Sequence, residues 1–122
     1  MIYNEYKIKY YKDSVTGKEP VREYIMKLDK KDIAKIAKYI GYLRDCGGYL
    51  DEPYSKHIVD KIRELRVDFS HNNHRIFYFS FVDKKIILLH AFLKKTDKTP
   101  EQEIKRAQNN YKDAINNYQL YD

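Results

Sequence analysis

The chain has 122 residues, of which 43% are hydrophobic and 34% charged, and a net charge of +6. These proportions exclude a disordered chain, and the length predicts one domain spanning residues 1–122 around a modest core. The positive balance points to nucleic acid, an anionic surface or an acidic protein partner, without choosing among them. Cys46 is the only cysteine, which excludes an intrachain disulfide and fits a reducing compartment; before Gly47 and Gly48 it reads as a small packed residue. The opening "MIYNEYKIKYYKD" is too polar for a secretory leader. Residues 86–93, the longest apolar run apart from its histidine, fall far short of the roughly 20 needed to cross a membrane. A cytoplasmic protein without a membrane partner is expected.

In chain order, "EYKIKYYKD" (residues 5–13) alternates and is rich in tyrosine, as a strand would be. "SVTGK" breaks it, and Pro20 suits the first turn of a short helix with Val21, Tyr24, Ile25 and Leu28 on one face. Asp29 is placed to cap a second helix, whose apolar stripe runs through Ile33, Ile36, Ala37, Ile40 and Leu43. Lys30, Lys31, Lys35 and Lys38 fall mostly on its other side and read as a solvated face, and Gly47–Gly48 ends it. A loop through Pro53 follows. Three strand-like runs come next, "KIRELRVDF" (61–69), "HRIFYFSFV" (74–82) and "KIILLHAFL" (85–93), with "SHNN" and "DK" between them. Such short connections make an antiparallel meander, and the third run is apolar enough to be central and covered on both faces. Thr99 as N-cap, Pro100 at N1 and Gln102 at N3 predict a last helix with Ile104, Ala107, Tyr111, Ala114 and Tyr118 on one face. The expected order is β-α-α-β-β-β-α, an α/β (α+β) fold.

Motifs for common chemistries are absent. His57, His71, His74 and His90 are scattered, so no metal site is expected, and His90 reads as a satisfied core histidine. No glycine-rich phosphate loop or nucleophile elbow occurs. What remains is basic. Lys61, Arg63 and Arg66 lie on the first meander strand, Arg75 opens the second, and Lys94 and Lys95 close the third, with Lys98 beyond. Antiparallel order can bring Arg66, Arg75 and Lys95 to one end of the sheet, and alternation sets Glu64 and Arg66 opposite the apolar face of Leu65, Val67 and Phe69. Such a groove could hold RNA. Cleavage by the 2′-OH needs a group to remove its proton, cations where negative charge develops and a proton for the leaving oxygen. Arginine and lysine suit the second need, and Glu64 or His74 could supply acid–base chemistry; each cation could equally be a solvated surface charge.

"IRELR" (62–66), "HRIFYF" (74–79) and "LLHAFLKKTDKTPEQEIKRA" (88–107), with the earlier "GKEPVREYIMKL", resemble the RelE/HigB toxin superfamily, in its HigB-like branch with phage-derived proteins. The resemblance implies a RelE-like toxin fold, an antiparallel meander with helices packed on one face. It implies the toxin of a type II toxin–antitoxin system, an endoribonuclease (mRNA interferase) that cleaves mRNA in the ribosomal A site and inhibits translation without a cofactor or metal. It also implies a cognate helix-turn-helix, HigA-like antitoxin, with operator DNA bound only through that partner. Carried over by position, Arg66, Arg75 and Lys95 are the expected catalytic residues, and Lys61, Arg63, Glu64, His74, Lys94 and Lys98 the expected substrate contacts. Some relatives carry lysines, a general base and a charge stabiliser, where this chain has Ile62 and Glu64, so the proton-accepting group departs from their pattern; Glu64 could replace it or pair with Arg66 or Lys61.

Overall fold

The computed structural model describes residues 5–122. The order is β1 (Lys7–Tyr10), α1 (Pro20–Met26), α2 (Lys30–Asp45), β2 (Ser55–Val59), β3 (Ile62–Phe69), β4 (Asn72–Phe81), β5 (Lys85–Leu93) and α3 (Glu101–Asn116). The strands form one sheet in the order β1-β5-β4-β3-β2, antiparallel except where β1 runs parallel to β5. The expected α+β class and the meander of β3, β4 and β5 are both present. Among the described residues no helix is long and apolar enough to cross a membrane.

Local chemistry explains the element ends. Proline opens α1, where its missing N–H is not needed. Asp29 stands at the N-cap of α2, although its side chain makes no capping bond. The far end of α2 closes in a Schellman motif. Gly48 N–H donates to Leu43 O at 2.9 Å and Gly47 N–H to Arg44 O at 3.1 Å, with both glycines at positive φ. Glycine suits position 48 because its φ of +88° is left-handed, and a Cβ there would also press on the Ser80 side chain. At α3 the expected Thr99 cap is not used; Pro100 is the capping residue and the helix starts at Glu101.

Two features differ from expectation. The stretch read as loop contains β2, an edge strand paired with β3. Its Lys56 and His57 are exposed, so it shows little of the apolar alternation that marks a half-buried strand. The helices also cover both faces of the sheet rather than one. Val21 and Ile25 of α1 and Ile36, Ile40 and Leu43 of α2 pack on Leu65, Val67, Ile76, Tyr78, Ile86 and Leu88. Ala107 and Ala114 of α3 join Phe77, Phe79, Ile87, Leu89 and Phe92 on the opposite face. Strands β4 and β5 are apolar on both sides, and each fully buried large side chain is worth about 1.5–3 kcal/mol, so neither face can be left to water. Within α2, Ala37 is exposed, as is Cys46 just beyond it, which was expected to be packed.

Candidate functional site

The β3–β4 turn is two residues long, Ser70 and His71, both at positive φ as a tight hairpin requires. That length fixes the register. Phe69 faces Asn72, Val67 faces His74, and Arg66 faces Arg75. The next strand sets Phe92 beside Arg75. Alternation turns Arg66, Arg75 and Phe92 toward the face that carries α3. That helix lies over β5. At the Arg66–Arg75 end of the sheet the Asp68 side chain is still 62% exposed, so this end of the face is open.

Two like charges directly opposite each other on a sheet repel, and each needs an anion nearby. Arg66 Nε donates to Glu64 Oε1 at 3.0 Å, and Arg75 Nη1 donates to Asp68 Oδ1 at 2.7 Å and to His74 O at 3.0 Å. Glu64 is fully buried and Arg75 is 6% exposed. Two buried side-chain polar atoms find no partner among the described residues, and both belong to this group: Glu64 Oε2 and Arg75 Nε. A buried polar atom without a partner costs roughly 1–3 kcal/mol, so sites that keep one tend to have another use for it. Arg66 keeps its side chain 23% exposed. The result is a pair of adjacent guanidinium groups, each tethered to one carboxylate; Arg66 reaches solvent with donors suited to a phosphate, while Arg75 lies almost wholly beneath the surface beside it.

The loop after β5 approaches the same end of the sheet. Lys94 N–H donates to Asn73 O at 2.8 Å and extends the β4–β5 ladder past its last pair. Lys95 and Lys98 follow in that loop, exposed and without an ion pair among the described residues. Arg66, Arg75, Glu64, Lys94 and Lys95 are therefore gathered toward one end.

Three expected contacts are not. Arg63 lies on the α1–α2 face, where its Nε donates to Ser55 Oγ at 3.1 Å and its guanidinium stacks 4.6 Å over the Tyr49 ring. Lys61 stands before the first residue of β3, about five residues or roughly 16 Å of strand from Arg66. His74 also faces α1 and α2. Its Nε2 is 2.7 Å from Asp32 Oδ2 and its Nδ1 is 2.7 Å from the Tyr24 hydroxyl. With both nitrogens engaged and 1% exposure, His74 is a core link and is not available to substrate. Its bond, with one from Asn72 Nδ2, holds the Asp32 carboxyl below the usual range, while burial and the nearby Asp32 charge push the Tyr24 hydroxyl up to about 12. His90 is the satisfied core histidine expected, with Nε2 2.8 Å from Glu103 Oε1 and its ring stacked on Phe92.

Lys56 was missed. It faces Glu64 across the β2–β3 pair, exposed and without an ion pair among the described residues, so an ammonium shares the face of the two arginines. The signal was hidden because β2 itself was not recognised as a strand. Among the described residues no group of three or more His, Cys, Asp or Glu is arranged to hold a metal ion.

Comparison with curated proteins returns no match. The model of the phage-derived protein Gp49-like family matches residues 23–112, which include α2, the whole sheet except β1, the paired arginines and the loop with Lys95. The chain belongs to this Gp49-like family, one of the RelE/HigB-like families of toxin–antitoxin toxins.

Proposed function

We propose that the chain is a HigB-like toxin that cleaves mRNA on the ribosome by attack of the 2′-OH on the adjacent phosphate, without a metal ion. The observation that carries this reading is the cross-strand pair of Arg66 and Arg75, with an unpartnered donor on Arg75 buried beside it. Loss of the 2′-OH proton lets O2′ bond to phosphorus. The phosphate oxygens gain negative charge, the bond to O5′ breaks, and O5′ takes a proton. The products are a 2′,3′-cyclic phosphate and a 5′-hydroxyl. Arg66 and Arg75 act on the charged phosphate oxygens, where fixed cations lower the barrier most. Lys95 adds a third cation to the scissile phosphate, and Lys94 and Lys98 contact flanking or ribosomal RNA backbone. Glu64 holds Arg66 in place, since it is itself buried. A HigA-like helix-turn-helix antitoxin would silence the toxin and carry operator binding.

A second reading, a non-catalytic RNA- or ribosome-binding module neutralised by the same partner, has its own observation. Ile62 and Glu64, which stand where some relatives carry lysines, are both buried and offer no exposed group for proton transfer. Cleavage decides between them. The purified chain should cut ribosome-bound mRNA or a model RNA in EDTA, leaving cyclic phosphate ends. Arg75→Ala, checked for fold by circular dichroism, should lower the rate about 10²–10³-fold. RNA binding with no product ends, or a strict requirement for one divalent ion, would overturn the nuclease reading.

A further inference from the structure

Beside its buried stripe, α2 carries a second stripe that the proposed reaction does not use. Lys35, Lys38, Tyr39 and Tyr42 recur at helical spacing. Tyr54, next to the start of β2, meets them: the Tyr39 and Tyr54 rings are 6.0 Å apart at 60°, and the Tyr39 and Tyr42 rings 5.7 Å apart. These residues and Leu50 line a cavity of about 460 Å³. Tyr42 is 44% exposed and Tyr54 49% exposed. Lys35 Nζ lies 5.6 Å from the Tyr39 ring centre and Lys38 Nζ 5.9 Å from that of Tyr42. Neither lysine has an ion pair among the described residues, and the one carboxylate on the cavity wall, Asp45, is exposed to solvent and lies 3.5 Å from Arg44.

One backbone bond ties this groove to the strand that carries Arg66. The backbone N–H of Arg66 donates to Tyr54 O at 2.8 Å. Arg66 thus points to one face of the sheet while its backbone holds the residue that walls the groove on the other, with only the β2 edge between them. The half-exposed rings of Tyr42 and Tyr54 offer aromatic surface to unpaired bases, and the ammonium groups beside them can meet phosphates. That pairing of aromatic platforms with a positive track is how single strands are held without sequence readout. An acidic peptide would satisfy the lysines but would leave unexplained both the ring surface and its place beside Arg66.

We propose that the groove of Lys35, Lys38, Tyr39, Tyr42 and Tyr54 binds unpaired nucleotides of the RNA strand whose scissile phosphate meets Arg66 and Arg75, the strand turning over the β2 edge at Tyr54. The inference rests on the nuclease reading and names a flanking-strand subsite for it. The test is fluorescence anisotropy of the full chain with labelled single-stranded RNAs of about 3 and about 10 nucleotides, lengths that fall below and within the usual span of such grooves. Replacing Tyr42 and Tyr54 together by alanine should weaken binding of the longer RNA about tenfold and leave the shorter unchanged, while Tyr42→Phe with Tyr54→Phe keeps both. Arg75→Ala should weaken both lengths. Unchanged binding of the longer RNA by the folded alanine pair, with the short RNA still dependent on Arg75, overturns the groove alone. Binding at both lengths that ignores Arg75 overturns the nuclease reading and the continuity on which the groove depends. Should the alanine pair misfold, photocrosslinking of the unaltered chain to RNA carrying 4-thiouridine replaces it: crosslinks at Tyr42 or Tyr54 support the groove, and crosslinks only elsewhere overturn it. Loss of an acidic peptide ligand in the alanine pair with RNA binding intact assigns the surface to a protein and overturns it too.

Discussion

The two faces of the sheet handle buried polarity in opposite ways. Under α1 and α2, polar side chains close on one another. Tyr24, His74, Asp32 and Asn72 form one connected set. On the same face Tyr78 shares a 2.8 Å bond with Ser55 and donates to Gly48 O at 3.0 Å. On the opposite face, Glu64 and Arg75 each keep a buried atom without a partner, beside cations that reach solvent. The first face spends its polar groups on stability, because a completed network in a low dielectric fixes one packing. The second retains unpartnered polar atoms at a stability cost, which the proposed contact with phosphate would explain.

The contrast can be broken on its stable side first. His74→Ala removes bonds to Tyr24 and Asp32 and leaves a buried carboxylate short of a donor. Urea unfolding should show a loss of about 2–4 kcal/mol, with RNA affinity per folded molecule unchanged. A loss under half a unit would mean that the network is ornamental; a fall in affinity would mean that the faces are coupled.

A smaller effect is expected in acid. Hydrogen bonds from His74 and Asn72 hold the folded Asp32 carboxyl below its ordinary value. As pH falls the unfolded chain takes up that proton first, so the stabilisation is complete above about pH 4 and is lost as pH drops through the lowered folded value. Thermal unfolding from pH 6 to pH 2 should fall less steeply for Asp32→Asn than for the unaltered chain; parallel curves would remove Asp32 from the account.

The smallest effects lie on the cationic side. Lys56→Ala and Lys95→Ala should each weaken RNA binding a few-fold and lower the slope of log affinity against log salt by about one, the mark of a single phosphate contact. Lys61→Ala, away from the paired arginines along β3, should change neither. Equal slopes for all three would show that the open face attracts RNA by net charge alone.

The sequence exposed some of this architecture more readily than the rest. Antiparallel order alone brought Arg66 and Arg75 to one end of the sheet; their direct pairing was not legible, because "SHNN" read as a four-residue connection while the chain turns on Ser70 and His71 alone. The same alternation assigns Arg63 to the apolar side with Leu65 and Val67, yet its charge drew it into the expected site. The shorter turn sets His74 opposite Val67, on the helix side, which the four-residue reading did not show. Less could be read where partners are distant in the chain. Strand β2 is short, polar and exposed at the edge, so its pairing carries little local signal, and Lys56 was lost with it. The apolar spacing of α3 marks a buried stripe without saying which face receives it. Only the double-sided apolar character of β4 and β5 demands a cover on each side.

The parallel pairing of β1 with β5 also sets an order of assembly. Lys7 is matched to Lys85 and Tyr10 to Leu88, so β1 must wait for the last of the described strands to emerge. The β3–β4 hairpin, closed by two residues, can align Arg66 with Arg75 early. The loop bearing Lys95 cannot take its place until β5 is seated. The register of the arginine pair is thus local in the chain while the placement of Lys95 is not, and a partner that engages β5 or the loop beyond it while the chain is still growing would meet a sheet that is not yet complete.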